Sequence, residues 1–117
     1  MAFRFEHLEI WQEAIVYAKE LYLLTKNFPK DELYALSDQL KRAASSIPTN
    51  IAEGSGSSSK KDFSHYLDIA IKSLFETVSL LILAEKLGYV SESIKLEYYS
   101  EAEKLVRKIN AFKKFLK

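Results

Sequence analysis

The chain has 117 residues, 48% of them hydrophobic and 28% charged, which suits one domain over residues 1–117 with a single buried core. Its 17 basic and 16 acidic residues leave a net charge of +1, which is too balanced for a protein coated on nucleic acid. Cysteine is absent, so a disulfide scaffold, a thiolate metal site and a cysteine nucleophile are all excluded.

Composition also predicts the fold class. Three glycines and two prolines are few for 117 residues, and the commonest residues are good helix formers, so we expect an all-α protein. No apolar run approaches the roughly 20 residues that span a bilayer, and the start of the chain lacks the apolar segment of a signal peptide. We therefore expect a cytoplasmic protein without membrane contact.

Two helices are predicted in the first half of the chain. Apolar residues recur at steps of three and four over residues 7–26, which predicts a first helix there. We expect a second helix to be capped at or near Asp31 and to end at Gly54 in a left-handed cap. Pro48 has no N–H and lies on the buried face, so it should kink this helix. The buried face comprises Leu33, Leu36, Leu40, Ala43, Ile47 and Ile51.

Two further helices are predicted in the second half. Ser59 opens a capping-box pattern for a third helix, which Gly88 should stop. Ser91 can begin a fourth helix, whose apolar residues step by three and four up to Leu116. Four helices joined by short connections predict an antiparallel up-down-up-down four-helix bundle.

The third predicted helix is apolar around most of its circumference. Its apolar residues extend from Phe63 to Ala84 and cover more than one stripe, which three neighbouring helices cannot bury completely. We therefore expect a homo-oligomer in which other subunits cover the remainder. Glutamate at Leu80 or Ile82 should disrupt this association, because a buried unpaired carboxylate is costly.

A row of polar residues follows the second helix beside its apolar face, and polar residues of the third helix should lie opposite. Buried polar groups need partners, so we interpret these residues as a structural network that sets helix register. A buried ion pair between Arg42 and Glu76 is the first expectation within it. The network comprises Gln39, Arg42, Ser46, Asn50, Glu53, Ser73 and Glu76.

Basic residues concentrate near the end of the chain, where residues 104–117 hold six lysines and arginines and no acid. Repeated in an oligomer, such a surface would bind RNA or DNA phosphates. The alternative is that these cations only complement the partial negative charge of the helix C-terminus and bind no ligand. A second basic site is expected where the third helix begins, with a plain serine-rich loop as the alternative. The candidate nucleic-acid-binding residues are Lys60, Lys61, Lys104, Arg107, Lys108 and Lys114.

Nothing in the sequence predicts an enzyme. Di-iron bundles need Glu-x-x-His on two helices, whereas His7 and His65 follow Arg4 and Asp62 by three. Dinucleotide and Walker phosphate-binding fingerprints are missing too, so we expect no catalytic residue, metal or cofactor. Nucleic-acid association is the leading hypothesis and a scaffold for a polypeptide partner is the alternative. An enzyme with an interior pocket formed by Arg42, Asn50 and Glu53 is the least favoured hypothesis.

The central stretch at residues 39–54, QLKRAASSIPTNIAEG, resembles the 23S ribosomal RNA intervening-sequence proteins. The resemblance implies four-helix bundles assembled into a homopentameric barrel, related to the accessory variability protein of diversity-generating retroelements. That relative works with nucleic acid and a reverse transcriptase. The family name itself implies a gene context and no biochemical activity. The likeness is also carried by Phe28, Pro29, Glu32, Tyr34, Phe63, Ala70, Ser73, Leu74, Glu76, Leu87, Gly88 and Tyr89.

Overall fold

The computed structural model describes residues 2–32 and 35–116, and every regular element within them is helical. Four α-helices follow one another along the chain: α1 (Glu9–Thr25), α2 (Leu36–Ser55), α3 (Lys60–Lys86) and α4 (Glu92–Phe115). Short 3-10 turns at Arg4–His7 and Lys30–Glu32 precede α1 and α2. The predicted all-α fold with four helices is confirmed.

The helices pack in the cyclic order α1, α2, α3, α4, because each contacts its neighbours in the chain and α1 also contacts α4. Between α2 and α3, Ser46 lies opposite Ser73, whereas Gly54 lies against Phe63. Late residues of one helix therefore meet early residues of the next, as an antiparallel arrangement requires, and the α3–α4 and α1–α4 contacts follow the same rule. The molecule measures 43 by 23 by 22 Å.

One hydrophobic core runs along the bundle axis and takes side chains from all four helices. The most extensive contact joins α2 and α3, where Ala43 and Ala70 present small side chains at the core. Small residues let two helix backbones approach closely, which increases the number of atoms in van der Waals contact. The largest fully buried apolar side chains are Leu21, Leu40, Ile47, Ile51, Leu67, Leu74, Leu81 and Ile109.

Serine side chains cap the N-termini of α3 and α4. Ser59 Oγ accepts a hydrogen bond from the N–H of Asp62 at 3.0 Å, and Ser91 Oγ accepts one from the N–H of Ile94 at 3.1 Å. Each bond satisfies one of the free N–H groups at a helix start. Both predicted helix starts are confirmed.

Gly88 ends α3 as predicted. Its φ of +82° lies in the left-handed region, which glycine adopts without steric cost. The N–H of Gly88 donates to Glu85 O and the N–H of Tyr89 donates to Ala84 O, both at 2.9 Å. This pair of bonds is a Schellman motif and satisfies two carbonyls at the helix end.

The predicted start of the second helix is wrong. Asp31 lies in the 3-10 turn before α2, and α2 begins only at Leu36, after Ala35, whose side chain has no polar atom to cap it. Asp38 in the first turn supplies the negative charge that a helix N-terminus favours. Leu33, predicted for the buried face of this helix, lies outside the described residues.

The predicted left-handed cap at Gly54 is also wrong. Helix α2 continues to Ser55, and Gly88 alone among the described glycines has a positive φ. Gly54 is instead buried against α3, where an added Cβ would lie 2.8 Å from both Phe63 Cδ1 and Tyr66 Cβ. Glycine is therefore required there for close helix packing and not for backbone freedom.

Pro48 lies inside α2, which continues through it from Leu36 to Ser55. The proline has no N–H to donate to the carbonyl of Ala44 one turn earlier, and its ring is buried at the side of the helix that faces α1. The bend of the helix axis expected at this residue stays a prediction.

Replacing Gly54 with alanine should destabilise the fold by about 1–3 kcal/mol, because the new methyl group pushes α2 away from α3. The clash with Tyr66 Cβ is close to the backbone and has no easy relief. Gly56→Ala is the matched control, since its Cβ would come no closer than 3.5 Å, to Glu53 O. Denaturant unfolding of both variants measures the difference, and equal stabilities would contradict this role for Gly54.

Candidate nucleic-acid interface

A basic hollow of about 510 Å³ lies at the end of the bundle where α3 begins and α4 ends. The N-terminus of α3 contributes the partial positive charge of its unsatisfied N–H groups at this end. Three lysines from two helices therefore surround a concave surface that suits an anion. The lining residues are Lys60, Lys61, Ser64, His65, Asp68, Lys113 and Leu116.

The lysines of the basic hollow differ in whether they form ion pairs. Lys113 forms an ion pair with Asp68 across the α3–α4 contact, so its charge is partly neutralised. Lys60 and Lys61 are exposed and form no ion pair with the other described residues. Lys114 is exposed beside Lys113. Lys113 was not among the residues predicted from the sequence. The antiparallel pairing of α3 with α4 would have indicated that this residue lies near the start of α3.

Lys108, a predicted phosphate contact, joins α4 to α1 instead. Its ammonium lies 2.7 Å from Glu9 Oε1 and 2.8 Å from Glu13 Oε2. The hydrogen bond from Lys108 lowers the pKa of Glu9 below its ordinary value of 4.5. The hydrogen bonds to Glu13 and then Glu9 raise the pKa of Lys108. Two carboxylates therefore already neutralise this cation.

The other predicted cations of α4 do not form one continuous stripe. Lys104 pairs with Glu101 one turn earlier on its own helix at 3.4 Å. Arg107 lines a groove between α3 and α4, away from the basic hollow. None of the predicted α4 residues lines the hollow; Lys114 is adjacent in sequence to Lys113, which does.

Part of the predicted polar network joins α2 to α3. Ser73 Oγ donates to Ser46 Oγ at 2.9 Å, and Asn50 Nδ2 donates to the same oxygen at 2.9 Å. The Asn50 amide also donates to the backbone carbonyl of Ser46 at 2.8 Å. Thr77, fully buried one turn after Ser73, donates to the Ser73 carbonyl at 2.8 Å. These bonds satisfy polar groups at the closest helix contact, where an unpaired hydroxyl would be costly.

The expected buried ion pair between Arg42 and Glu76 is wrong. The Arg42 side chain is 77% exposed and pairs with Asp38 of its own helix at 3.4 Å, while Glu76 is exposed on α3. Gln39 and Glu53 are exposed as well. Arg42 and Glu53 thus face solvent, so the interior catalytic pocket considered as the weakest alternative does not form.

Within residues 2–32 and 35–116, no group of three or more histidine, aspartate or glutamate side chains is arranged to hold a metal ion. None of the four helices has the length and hydropathy needed to cross a bilayer.

Comparison with known proteins identifies the family. The sequence pattern of the 23S rRNA-intervening sequence proteins matches residues 6–111. The chain belongs to this family. The family match includes Lys60, Lys61, Lys104, Arg107 and Lys108, whereas the last basic residues of α4 lie beyond it. The relation to diversity-generating retroelement proteins stays an expectation.

A solved crystal structure has the same fold. A crystal structure from Bacteroides thetaiotaomicron VPI-5482, described as a protein with unknown function from the S23 ribosomal protein family, aligns with a TM-score of 0.80 at 22% identity. The alignment covers 90% of this chain and 98% of that one. No curated protein matches the sequence at a significant level. The structural likeness therefore supports the four-helix fold of this chain.

Replacing Lys108 with glutamine should raise the pKa of Glu9 towards its ordinary value of 4.5. Because folding lowers this pKa, the bridge stabilises the wild-type fold above the unfolded-state pKa and is lost as pH falls through the lower folded-state value. NMR titration of the Glu9 carboxyl carbon in both proteins tests this. Lys104→Gln is the control, since Lys104 does not contact Glu9, and an identical Glu9 pKa in wild type and Lys108→Gln would refute the bridge.

Proposed function

We propose that this protein is a non-enzymatic, cytoplasmic helical bundle that self-associates and binds RNA or DNA through the basic hollow. The observation that carries the proposal is the meeting of Lys60, Lys61 and Lys113 around one concave surface at the N-terminus of α3. Lys114, exposed and adjacent to Lys113 in the sequence, supplies a further cation near the end of α4.

The chemistry of the hollow suits phosphate better than bases. Lysine ammonium groups are flexible point charges that attract phosphate oxygens without reading a base sequence. Asp68 within the hollow limits the net positive charge, and the whole chain carries only +1. We therefore expect weak, sequence-tolerant binding that declines steeply as salt rises.

Self-association would make such weak contacts effective. Several basic hollows held in one assembly bind a long polyanion with an effective concentration that one subunit lacks. Exposed apolar side chains on α3 support association, with Phe75 66% exposed and Ile82 36% exposed. Leu80, expected to be an interface residue, is only 8% exposed and belongs to the subunit core, so glutamate there would not test assembly. The assembly of five subunits implied by the family resemblance stays a prediction.

A scaffold that binds a polypeptide is the second candidate function. A groove of about 900 Å³ between α1 and α4 combines exposed Val16 and Leu96 with the acids Glu20, Glu97 and Glu101. Exposed apolar side chains beside several carboxylates would suit a basic amphipathic segment. This candidate is favoured if the protein fails to bind nucleic acid even at low salt.

The triple change of Lys60, Lys61 and Lys114 to glutamine tests nucleic-acid binding. The slope of log affinity against log salt should become shallower by about 0.9 for each lost phosphate contact on duplex DNA, and by about 0.7 on single strands. Fluorescence anisotropy with labelled RNA and DNA over a salt series measures the slope.

The matched control changes Lys26, Lys30 and Lys86 to glutamine. These lysines are exposed at the opposite end of the bundle, so the net charge falls equally while the basic hollow stays intact. The control should retain the wild-type slope. Equal slopes for the two triple variants would show that binding follows overall charge and would contradict the proposed site.

A further inference from the structure

His65 is the one histidine among the residues that line the basic hollow. It lies on α3 one turn after Lys61, so the two side chains are neighbours on the helix surface. Lysine and aspartate side chains ordinarily keep their charges between about pH 5.5 and about pH 7.5, whereas an imidazole gains a proton as pH falls through this range. The hollow therefore contains one side chain of a type that changes charge close to neutral pH.

The His65 side chain is accessible to a ligand. The residue is exposed, and its ring centroid lies 6.0 Å from that of Tyr66. No ion pair joins His65 to another described residue. A protonated imidazole offers two N–H donors, which suit phosphate oxygens. Protonation thus adds a cation that no described carboxylate already neutralises.

Charged groups of α3 and α4 surround this imidazole. On α3, the two lysines of the first turn and the positive end of the helix dipole disfavour its protonated form. Asp62 and Asp68, three residues before and after His65, favour it. From α4, Lys113 contributes a cation that is paired with Asp68. A phosphate bound in the hollow adds negative charge to this set and so favours the protonated ring.

One further charge is a large change for a site of this size. The three lysines and one aspartate that line the hollow leave it a net charge of +2 when the imidazole is neutral. Protonation of His65 raises this net charge to +3. The backbone phosphates of RNA and DNA keep their single negative charge over the same pH range. The attraction between the hollow and a nucleic acid therefore increases as pH falls.

We propose that His65 binds phosphate in its protonated form, so that the basic hollow binds nucleic acid more tightly at mildly acidic pH. This proposal rests on the proposed function and names a further ligand-binding residue of the same site. The contribution of His65 is present where the imidazole carries its proton and is lost as pH rises and the proton leaves.

The two histidines of the chain provide a matched pair of variants. Wild-type protein should bind a short single-stranded RNA about two- to fivefold more tightly at about pH 5.5 than at about pH 7.5, the gain expected from one exposed ion pair. His65→Gln should bind equally at both pH values, because glutamine carries no charge. His7→Gln removes the other histidine and leaves the hollow intact, so it should keep the wild-type pH dependence.

His65→Lys separates the charge at this position from any structural role of the imidazole ring. A lysine stays protonated at both pH values, so this variant should bind at about pH 7.5 nearly as tightly as the wild type does at about pH 5.5. A purely structural role would instead weaken binding by both His65 variants at both pH values, and this outcome would overturn the proposal. Both histidines are exposed, so folding should persist, and circular dichroism verifies it.

Fluorescence anisotropy over a salt series at each pH measures these affinities. The wild-type slope of log affinity against log salt should be steeper by about 0.7 at the lower pH, and the slope of His65→Gln should not change. A pH dependence that survives in His65→Gln, or equal wild-type affinities at the two pH values, would overturn the role of His65 while nucleic-acid binding itself stands. Absence of binding at both pH values and low salt would overturn both proposals.

Discussion

The close approach of α2 to α3 is the constraint on which the rest of the bundle depends. Gly54 has no side chain where Phe63 and Tyr66 press against α2, and Ser46 and Ser73 form their hydrogen bond nearer the middle of the same contact. The missing Cβ sets the spacing at one end, and the serine pair satisfies polar groups that this spacing removes from water. Register and distance between the two central helices are therefore determined together.

Every ion pair that joins two different helices of the described residues includes a lysine of α4. Lys108 connects α4 to α1 through two glutamates, and Lys113 connects it to α3 through Asp68. Lys108, which the sequence predicted to contact phosphate, thus connects two helices instead. Among the described lysines that line the basic hollow, Lys60 and Lys61 form no ion pair, and two such cations are few for one subunit. This small number is why the proposed nucleic-acid binding depends on several copies acting together.

The family motif combines a proline with small residues beside α1. Pro48 and Ala52 belong to the stretch that carries the family resemblance, and both line the α1–α2 groove. A proline ring and a methyl group leave a wide apolar surface there. The same stretch thereby contributes to the core of the subunit on one side and forms an apolar groove on the other.

The sequence alone determined the number of helices and most of their ends. Ser59, Ser91 and Gly88 were predicted correctly because capping depends on backbone and side-chain groups within about one helical turn. The all-α class and the apolar excess on α3 followed from composition and periodicity, which also depend on neighbouring residues in the chain.

Only the tertiary structure decided the role of Gly54, the exposure of Arg42 and the pairing of Lys108. A glycine near a helix end has the same local sequence pattern whether it caps the helix or lets a neighbouring helix pack closely against it. At Gly54 the packing of α3 shows that the second role applies. A lysine in a basic segment looks free until the acids of a distant helix are placed beside it, and Glu9 and Glu13 lie about 100 residues away along the chain. Burial and charge pairing are properties of the packed helices, because they depend on distances between residues that are remote in sequence.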